Sequence, residues 1–317
     1  MSMTHANSIY AYDIELYSRN FLNCAQRHSI VMLRERGVAV DYLFHNSLVS
    51  SDQVLAQIVQ NLTPKYDFAT ACLSDDDFIR VGVTRECFLV DDYADAENAL
   101  RHCVERDGFV LLAGDVFYFP HCPEYRTRHL FHLVALRGFD EQQGQWTMVD
   151  DNPASVLCWY RYPQAQVANF YNNNSVREYR TYQQHPMDLA EIRDNSRLAG
   201  QRYLAEYNDS AVLLTQLRDI INAPWQSTTL QYGRLHDAFA VLTGSRRCFA
   251  AFLALIQPDH ASVLLANTSA ELTGRLRNSF VQARLTGRCS VDKICARAAE
   301  LYALECQLLN SAQQLIR

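Results

Sequence analysis

The sequence predicts an α+β unit followed by an all-α one, and three observations predict it. Residues 128–153, RHLFHLVALRGFDEQQGQWTMVDDNP, hold two short apolar runs joined by a Gly-containing polar turn, the pattern of a β-hairpin. Helical periodicity with a glycine stop comes before that hairpin, at about 23–36 and 95–108. From Met187 onward helical periodicity takes over. The expected division is 1–180 for the α+β domain and 181–317 for the helical one.

Composition narrows the field. A chain of 317 residues suits one large domain or two modest ones, and 49% apolar residues supply a core. The net charge is -6 and no long basic block occurs, which argues against a dedicated nucleic-acid binder. Only Lys65 and Lys293 are lysines among 29 basic residues; arginine does the rest. The 10 cysteines form no CxxC pair, which disfavours zinc ribbons and dense disulfide scaffolds. The start, MSMTHANSIYAYDIELYS, lacks the charged and apolar regions of a signal peptide, and no apolar run approaches membrane-spanning length. A cytoplasmic location, with reduced and mostly buried thiols and no membrane partner, is the expectation.

The elements follow in order. Phe21, Cys24, Ile30, Val31 and Leu33 with Gly37 predict the first helix, with Asn23 as its N-cap. Ser50–Leu62 reads as a Ser-capped helix. Residues 81–93 contain a strand-like run, 95–108 an amphipathic helix ending at Gly108, and 109–113 a buried strand. Asp115–Pro120 is expected to continue extended until Pro120 and Pro123 break it. Residues 154–186 show no core period and predict a strand or two, then a linker near 172–187. Helices are predicted at 188–206, 210–222, 228–256, 259–286 and 290–316, punctuated by Pro224, Pro258, Gly244 and Gly287. The last has the length to pair with a second copy, so a homodimer is an open expectation.

The hairpin carries the chemistry. His132 opens one strand and Asp150 closes the next, and in an antiparallel pair those ends lie side by side. An imidazole oriented by a carboxylate is two thirds of a nucleophile–base–acid triad. Cys24 in the first turn of a helix is the candidate nucleophile, because the unpaired amides and the helix dipole favour a thiolate there. Any single cysteine of ten is more often a small core residue. A structural histidine is the ordinary alternative for His132. Asp151 competes with Asp150, but it precedes Asn152-Pro153 and suits a turn. His28, one turn after Cys24, is a weaker base candidate. Asp115 and Tyr118 either line the substrate cleft or brace the strand. His129 lies three residues before His132, but no third ligand at suitable spacing supports a metal site. Arg246, Arg247 and Arg234 are candidates to meet an acidic partner or a phosphate, although such residues more often form a solvated face.

Three segments together, NCAQRHSIVMLRERG, LLAGDVFYFPHCPEYRTRHLFHLVALRGFD and WTMVDDNP, resemble the butirosin-biosynthesis H protein family. The resemblance is good over about residues 20–155. Beyond that it extends only by type, with TGSRRCFAAFL the most family-like stretch. Asp115, Tyr118, Pro120, Tyr125, His129, His132, Gly138 and Asp140 match the pattern by type and order. Cys24, His132 and Asp150 fall at the positions expected for nucleophile, base and orienting acid. The resemblance implies a papain-like, double-glycine-leader-peptidase-like N-terminal domain before a helical region. It implies an acyltransferase that takes an acyl or peptidyl group from a carrier-protein phosphopantetheine thioester and passes it to a small-molecule amine in antibiotic (nonribosomal peptide or polyketide) biosynthesis. Asn23, Asp115, Tyr118 and His129 are the expected substrate-binding residues. No cofactor or metal is expected to be bound; 4′-phosphopantetheine enters only as the donor's arm. Papain-like enzymes keep a glutamine six residues before the nucleophile, and here Ser18 stands there. Asn20 or Asn23, with the Cys24 amide, are the candidate oxyanion donors. A cysteine peptidase, amidase or thioesterase with the same triad is the alternative, and a non-catalytic binding protein a further one.

Overall fold

The computed structural model describes residues 8–316. The chain forms two compact units. One takes the chain as far as Tyr17, then Asn23–Val38 and Gly82–Pro186; the other takes Ser18–Leu22, Ala39–Val81 and everything from Met187 onward. Residues 39–81, expected with the catalytic half, therefore cluster with the helices.

The first unit is built on a six-stranded antiparallel sheet in the order β1-β6-β2-β3-β4-β5. Its strands are β1 (Val83–Leu89), β2 (Val110–Asp115), β3 (Phe131–Asp140), β4 (Gln145–Asp151), β5 (Leu157–Pro163) and β6 (Glu178–Gln184). Helices α1 (Cys24–Glu35), α2 (Tyr93–Asp107) and α3 (Gln164–Asn172) cover it. Gly37 and Gly108 close α1 and α2 at φ +83 and +74, a left-handed stop that glycine adopts without penalty. The core gathers Leu100, Val110, Leu112, Val134, Leu136, Trp146, Met148 and Phe170. The segment at Ser8–Tyr10 pairs with the outer edge of β5, through Trp159 N–H to the Ser8 carbonyl and Tyr10 N–H to the Leu157 carbonyl, both 2.9 Å. That covers one open edge of the sheet.

The fold differs from expectation in places with physical causes. The predicted linker near 172–187 holds the interior strand β6, and helix α3 precedes it where only a strand or two were expected. In β6, Tyr179, Thr181 and Tyr182 are buried, and Glu178 is tied to Arg180. Pairing across the sheet overrides the polar composition. Asp115–Pro120 does not run extended: Val116–Tyr118 is a 3-10 turn, held by the Asp115 side chain accepting from the Phe117 N–H at 3.0 Å. The predicted Ser50–Leu62 helix begins as expected at its Ser50 cap, then widens into π-helix over Leu55–Gln60.

In the second unit the expected long helices are present: α4 (Leu189–Glu206), α5 (Thr228–Ile256), α6 (Ala261–Thr286) and α7 (Val291–Ile316). Helix α5 is the centre. By length and composition alone it qualifies to cross a membrane, which the count of uninterrupted apolar residues missed, but 72% of its most apolar window is buried within the fold. Gly244 does not end it. A Cβ there would come within 2.6 Å of the Phe21 side chain, so glycine permits close packing in mid-helix. Arg246 is not on a solvated face. It is buried and forked onto Glu305 at 3.0 and 2.9 Å, with its Nη1 on the Val49 carbonyl at 2.6 Å.

Candidate functional site

Asn23 caps α1. Its side chain accepts the Gln26 N–H at 3.0 Å, and the Gln26 side chain accepts the Asn23 N–H at 3.1 Å, a capping box. Cys24 is thereby fixed as the first residue of the helix, partly exposed and reduced. The His132 ring hydrogen-bonds to its thiol.

The hairpin supplies the rest. By the antiparallel register that pairs Ala135 with Val149, Val134 on β3 comes opposite Asp150. Counting outward, Asp150 stands beside Val134 and diagonally across from His132, within reach of long side chains. His132 Nε2 sits 2.7 Å from Asp150 Oδ1, and Nδ1 is left for the thiol. Asp150 is fully buried and His132 nearly so. Burial by itself would lower the His132 pKa. The Asp150 charge, then the Cys24 thiolate, outweigh it and lift the pKa to about 10. Burial would likewise raise Asp150, yet the His132 charge and the N–H bonds of His121 and His132 hold it well below the usual carboxylate range. Cys24 therefore faces an imidazole whose cationic form is held by a buried, ionised carboxylate.

Two more histidines converge on Asp150, and sequence reasoning gave neither this role. His121 Nε2 lies 2.8 Å from Oδ2, and its Nδ1 lies 2.8 Å from the Tyr162 hydroxyl. Its ring stacks on Tyr160 at 3.9 Å. His121 sits in a proline-broken turn, Pro120-His121-Cys122-Pro123, where no periodicity marks it; only the sheet order puts it beside Asp150. His28 is buried, with Nδ1 donating to the Cys24 carbonyl at 2.6 Å and Nε2 3.4 Å from Asp150 Oδ1. Burial lowers its pKa despite the pull of Asp150, and the ring packs edge-on against His132 at 5.9 Å.

The choice between neighbouring acids is plain in the structure. Asp151 is ion-paired with the buried Arg27, whose other Nη donates to the Ser155 carbonyl at 2.9 Å. Asp150 is the neighbour that hydrogen-bonds to His132. The remaining candidates lie in a separate hydrogen-bonded group. Asp115 Oδ1 accepts from the Phe117 and Leu130 N–H groups, and Oδ2 accepts from His129 at 2.6 Å. That ties the end of β2 to the start of β3. His129 is largely exposed and stacks on Phe117 at 4.3 Å. Tyr118 packs at the border of the core, and its carbonyl accepts from Gln166 at 2.9 Å.

Among the described residues, His121–Cys122–Asp150 and His132–Asp150–Asp151 gather potential ligand atoms within 4.8 Å. The contacts of 2.7 and 2.8 Å are hydrogen-bond lengths. Ligands on one tetrahedral zinc stand about 3.3 Å apart, given Zn–N bonds near 2.0–2.1 Å.

The chain shares part of its sequence with a known enzyme. No protein-family description matches it. It is similar to a Niallia circulans enzyme named ribostamycin:4-(gamma-L-glutamylamino)-(S)-2-hydroxybutanoyl-[BtrI acyl-carrier protein] 4-(gamma-L-glutamylamino)-(S)-2-hydroxybutanoate transferase. The two are 26% identical over 135 residues, 42% of this chain. The match spans 45% of that enzyme, less than half its length. The relative, as named, transfers a 4-(gamma-L-glutamylamino)-(S)-2-hydroxybutanoate group between an acyl-carrier protein and ribostamycin. The similarity supports the resemblance to the butirosin-biosynthesis H proteins.

Proposed function

We propose that this chain is a cysteine-dependent acyltransferase that takes its acyl or peptidyl group from a carrier-protein phosphopantetheine thioester and delivers it to a small-molecule amine. The observation that carries the reading is a thiol at a helix start facing His132, whose far nitrogen is held by buried Asp150. The similarity to a transferase of carrier-bound acyl groups supports the donor class. On this reading the N-terminal domain is papain-like, the site is used in antibiotic biosynthesis, and no cofactor of its own is needed.

The steps follow from the groups present. The Cys24 thiolate attacks the thioester carbonyl, and a Cys24 S–C bond forms as the pantetheine sulfur leaves. His132 gives that sulfur its proton. The amine then attacks the acyl-cysteine, His132 takes a proton from the nitrogen, and the Cys24 thiolate is released. Asp150 holds the imidazole tautomer and stabilises its cationic form throughout. The oxyanion at the carbonyl meets the first-turn amides of α1, where the helix dipole is positive. The Asn23 carbonyl oxygen is spent on capping, so Asn23 would help only through its amide nitrogen.

The test is acyl loading. The full chain is incubated with acyl-pantetheine thioesters and, separately, with peptides, then read by intact mass and peptide mapping. A one-acyl adduct on Cys24 from thioesters, absent in Cys24→Ala, is the expected result. Adducts or cleavage from peptides alone would favour an amidase, and thioester turnover with water as the only acceptor would make it a thioesterase. No adduct from either would remove the enzyme reading.

A further inference from the structure

The triad has a fourth member on its far side. Resting on the thiol-enzyme reading above, we propose that His121 is a positioning residue. Its Nε2–H anchors Asp150 Oδ2, so that Oδ1 stays on His132, and the Tyr162 hydroxyl fixes which His121 nitrogen carries the hydrogen.

The hydrogen-bond geometry fixes the contact that matters most. An ionised carboxylate only accepts, so at 2.8 Å His121 Nε2 must donate to Oδ2. With its Nε2 hydrogen on Asp150, the ring presents Nδ1 to the Tyr162 hydroxyl across 2.8 Å, and in the proposed arrangement that hydroxyl donates. Burial holds that phenol above its usual range, so it keeps its proton. The line Tyr162–His121–Asp150–His132–Cys24 then runs with each donor matched to one acceptor. The His121 ring is clamped in plane by stacking on Tyr160 at 3.9 Å and lies over Phe119 at 5.5 Å.

Asp150 has 0% exposure, so its Oδ2 has no water to fall back on. The groups facing it are His132 on β3, His28 on α1, Cys158, Tyr160 and Tyr162 on β5, and Cys122 in the turn; Asp151 beside it is committed to Arg27. His28 does not replace the lost donor, because its hydrogen is on the Cys24 carbonyl. Without His121 the buried oxygen is left unpaired, a costly state. The carboxylate then takes up a proton or turns away. Either change removes the negative charge that faces His132, and the imidazolium loses its stabiliser.

The experiment reads Cys24 alone. Iodoacetamide alkylation is followed by peptide mapping from pH 5 to 9 on the full chain, as wild type, His121→Phe, His121→Gln and His121→Asn. Phe keeps the stacking and lacks the donor; Gln keeps a nitrogen donor at the Nε2 position; Asn is too short to reach. In wild type the acid limb lies well below the free-thiol value near 8.5. In His121→Phe the limb moves up by at least about one pH unit, roughly a tenfold loss of rate at pH 6, and His121→Gln restores it. If His121→Phe does not fold, His121→Asn against His121→Gln decides. A limb within about 0.3 units of wild type in the donor-less variant, with wild-type Cys24 fast, overturns this proposal alone. A wild-type Cys24 no faster than the other thiols overturns both this and the enzyme reading.

Discussion

Asp150 and Asp151 are adjacent carboxylates with different partners, and the residue scale is where they separate. Asp150→Asn keeps the shape but removes the charge that orients His132. In a serine triad the corresponding change costs about 10⁴ in kcat, and a loss of 10³–10⁴ in the rate of acyl loading is expected here. Asp151→Asn instead leaves Arg27 buried without its counter-charge. Breaking a buried pair costs roughly 3–5 kcal/mol, so that variant should show a lower melting temperature with a much smaller change in loading by the folded protein. The pH dependence has a definite sign. His132 is raised from 6.5 to about 10, so its contribution to stability is complete below 6.5 and fades as pH rises toward 10. Asp150 is lowered, so its contribution is present above its ordinary 3.8 and is lost as pH falls through its depressed value. The melting-temperature gap between wild type and His132→Gln should therefore narrow between pH 6.5 and 10; a constant gap would contradict the ion pair. Cys24, His132 and Asp150 were legible because a helix cap and a hairpin are local patterns. His121 was not, because it lies in an irregular turn outside the strands and meets Asp150, 29 residues on, only through tertiary packing.

At the scale of elements, two glycines show how closely the pieces approach. Gly114 on β2 pairs with His132, and a Cβ there would overlap the Phe170 ring of α3. Gly114→Ala should cost about 1–3 kcal/mol, or 2–4 °C of melting temperature per kcal/mol, and loosen the strand that carries the base. An unchanged melting curve would mean that Phe170 gives way without cost. The long helices and the hairpin were readable from period and caps. Strand β6 and helix α3 were not. EYRTYQQ looks like a linker until Glu178 and Arg180 neutralise each other and the tyrosines find a sheet on both sides. Arg246 misleads in the same way: a surface residue by type, it is buried because Glu305, 59 residues on, comes to meet it.

At the scale of the whole molecule, the two compact units are interleaved along the chain. The helical unit needs Ala39–Val81, since Arg246 bonds the Val49 carbonyl and Ser245 bonds the Ser47 carbonyl at 2.6 Å. A fragment of residues 181–317 alone should therefore fail to melt cooperatively, whereas a sequence-level division at 180 treats it as a domain. A sharp two-state melt of that fragment would contradict the interleaving.

The central claim is that Cys24 is held ready as a thiolate by His132 and Asp150. The most direct measurement is competitive alkylation of the full chain at pH 6 with limiting iodoacetamide, followed by peptide mapping of all 10 cysteines. Cys24 should be labelled well ahead of the exposed Cys87 and Cys306, and Asp150→Asn should erase that lead. Labelling of Cys24 at or below the rate of those two thiols would contradict the account.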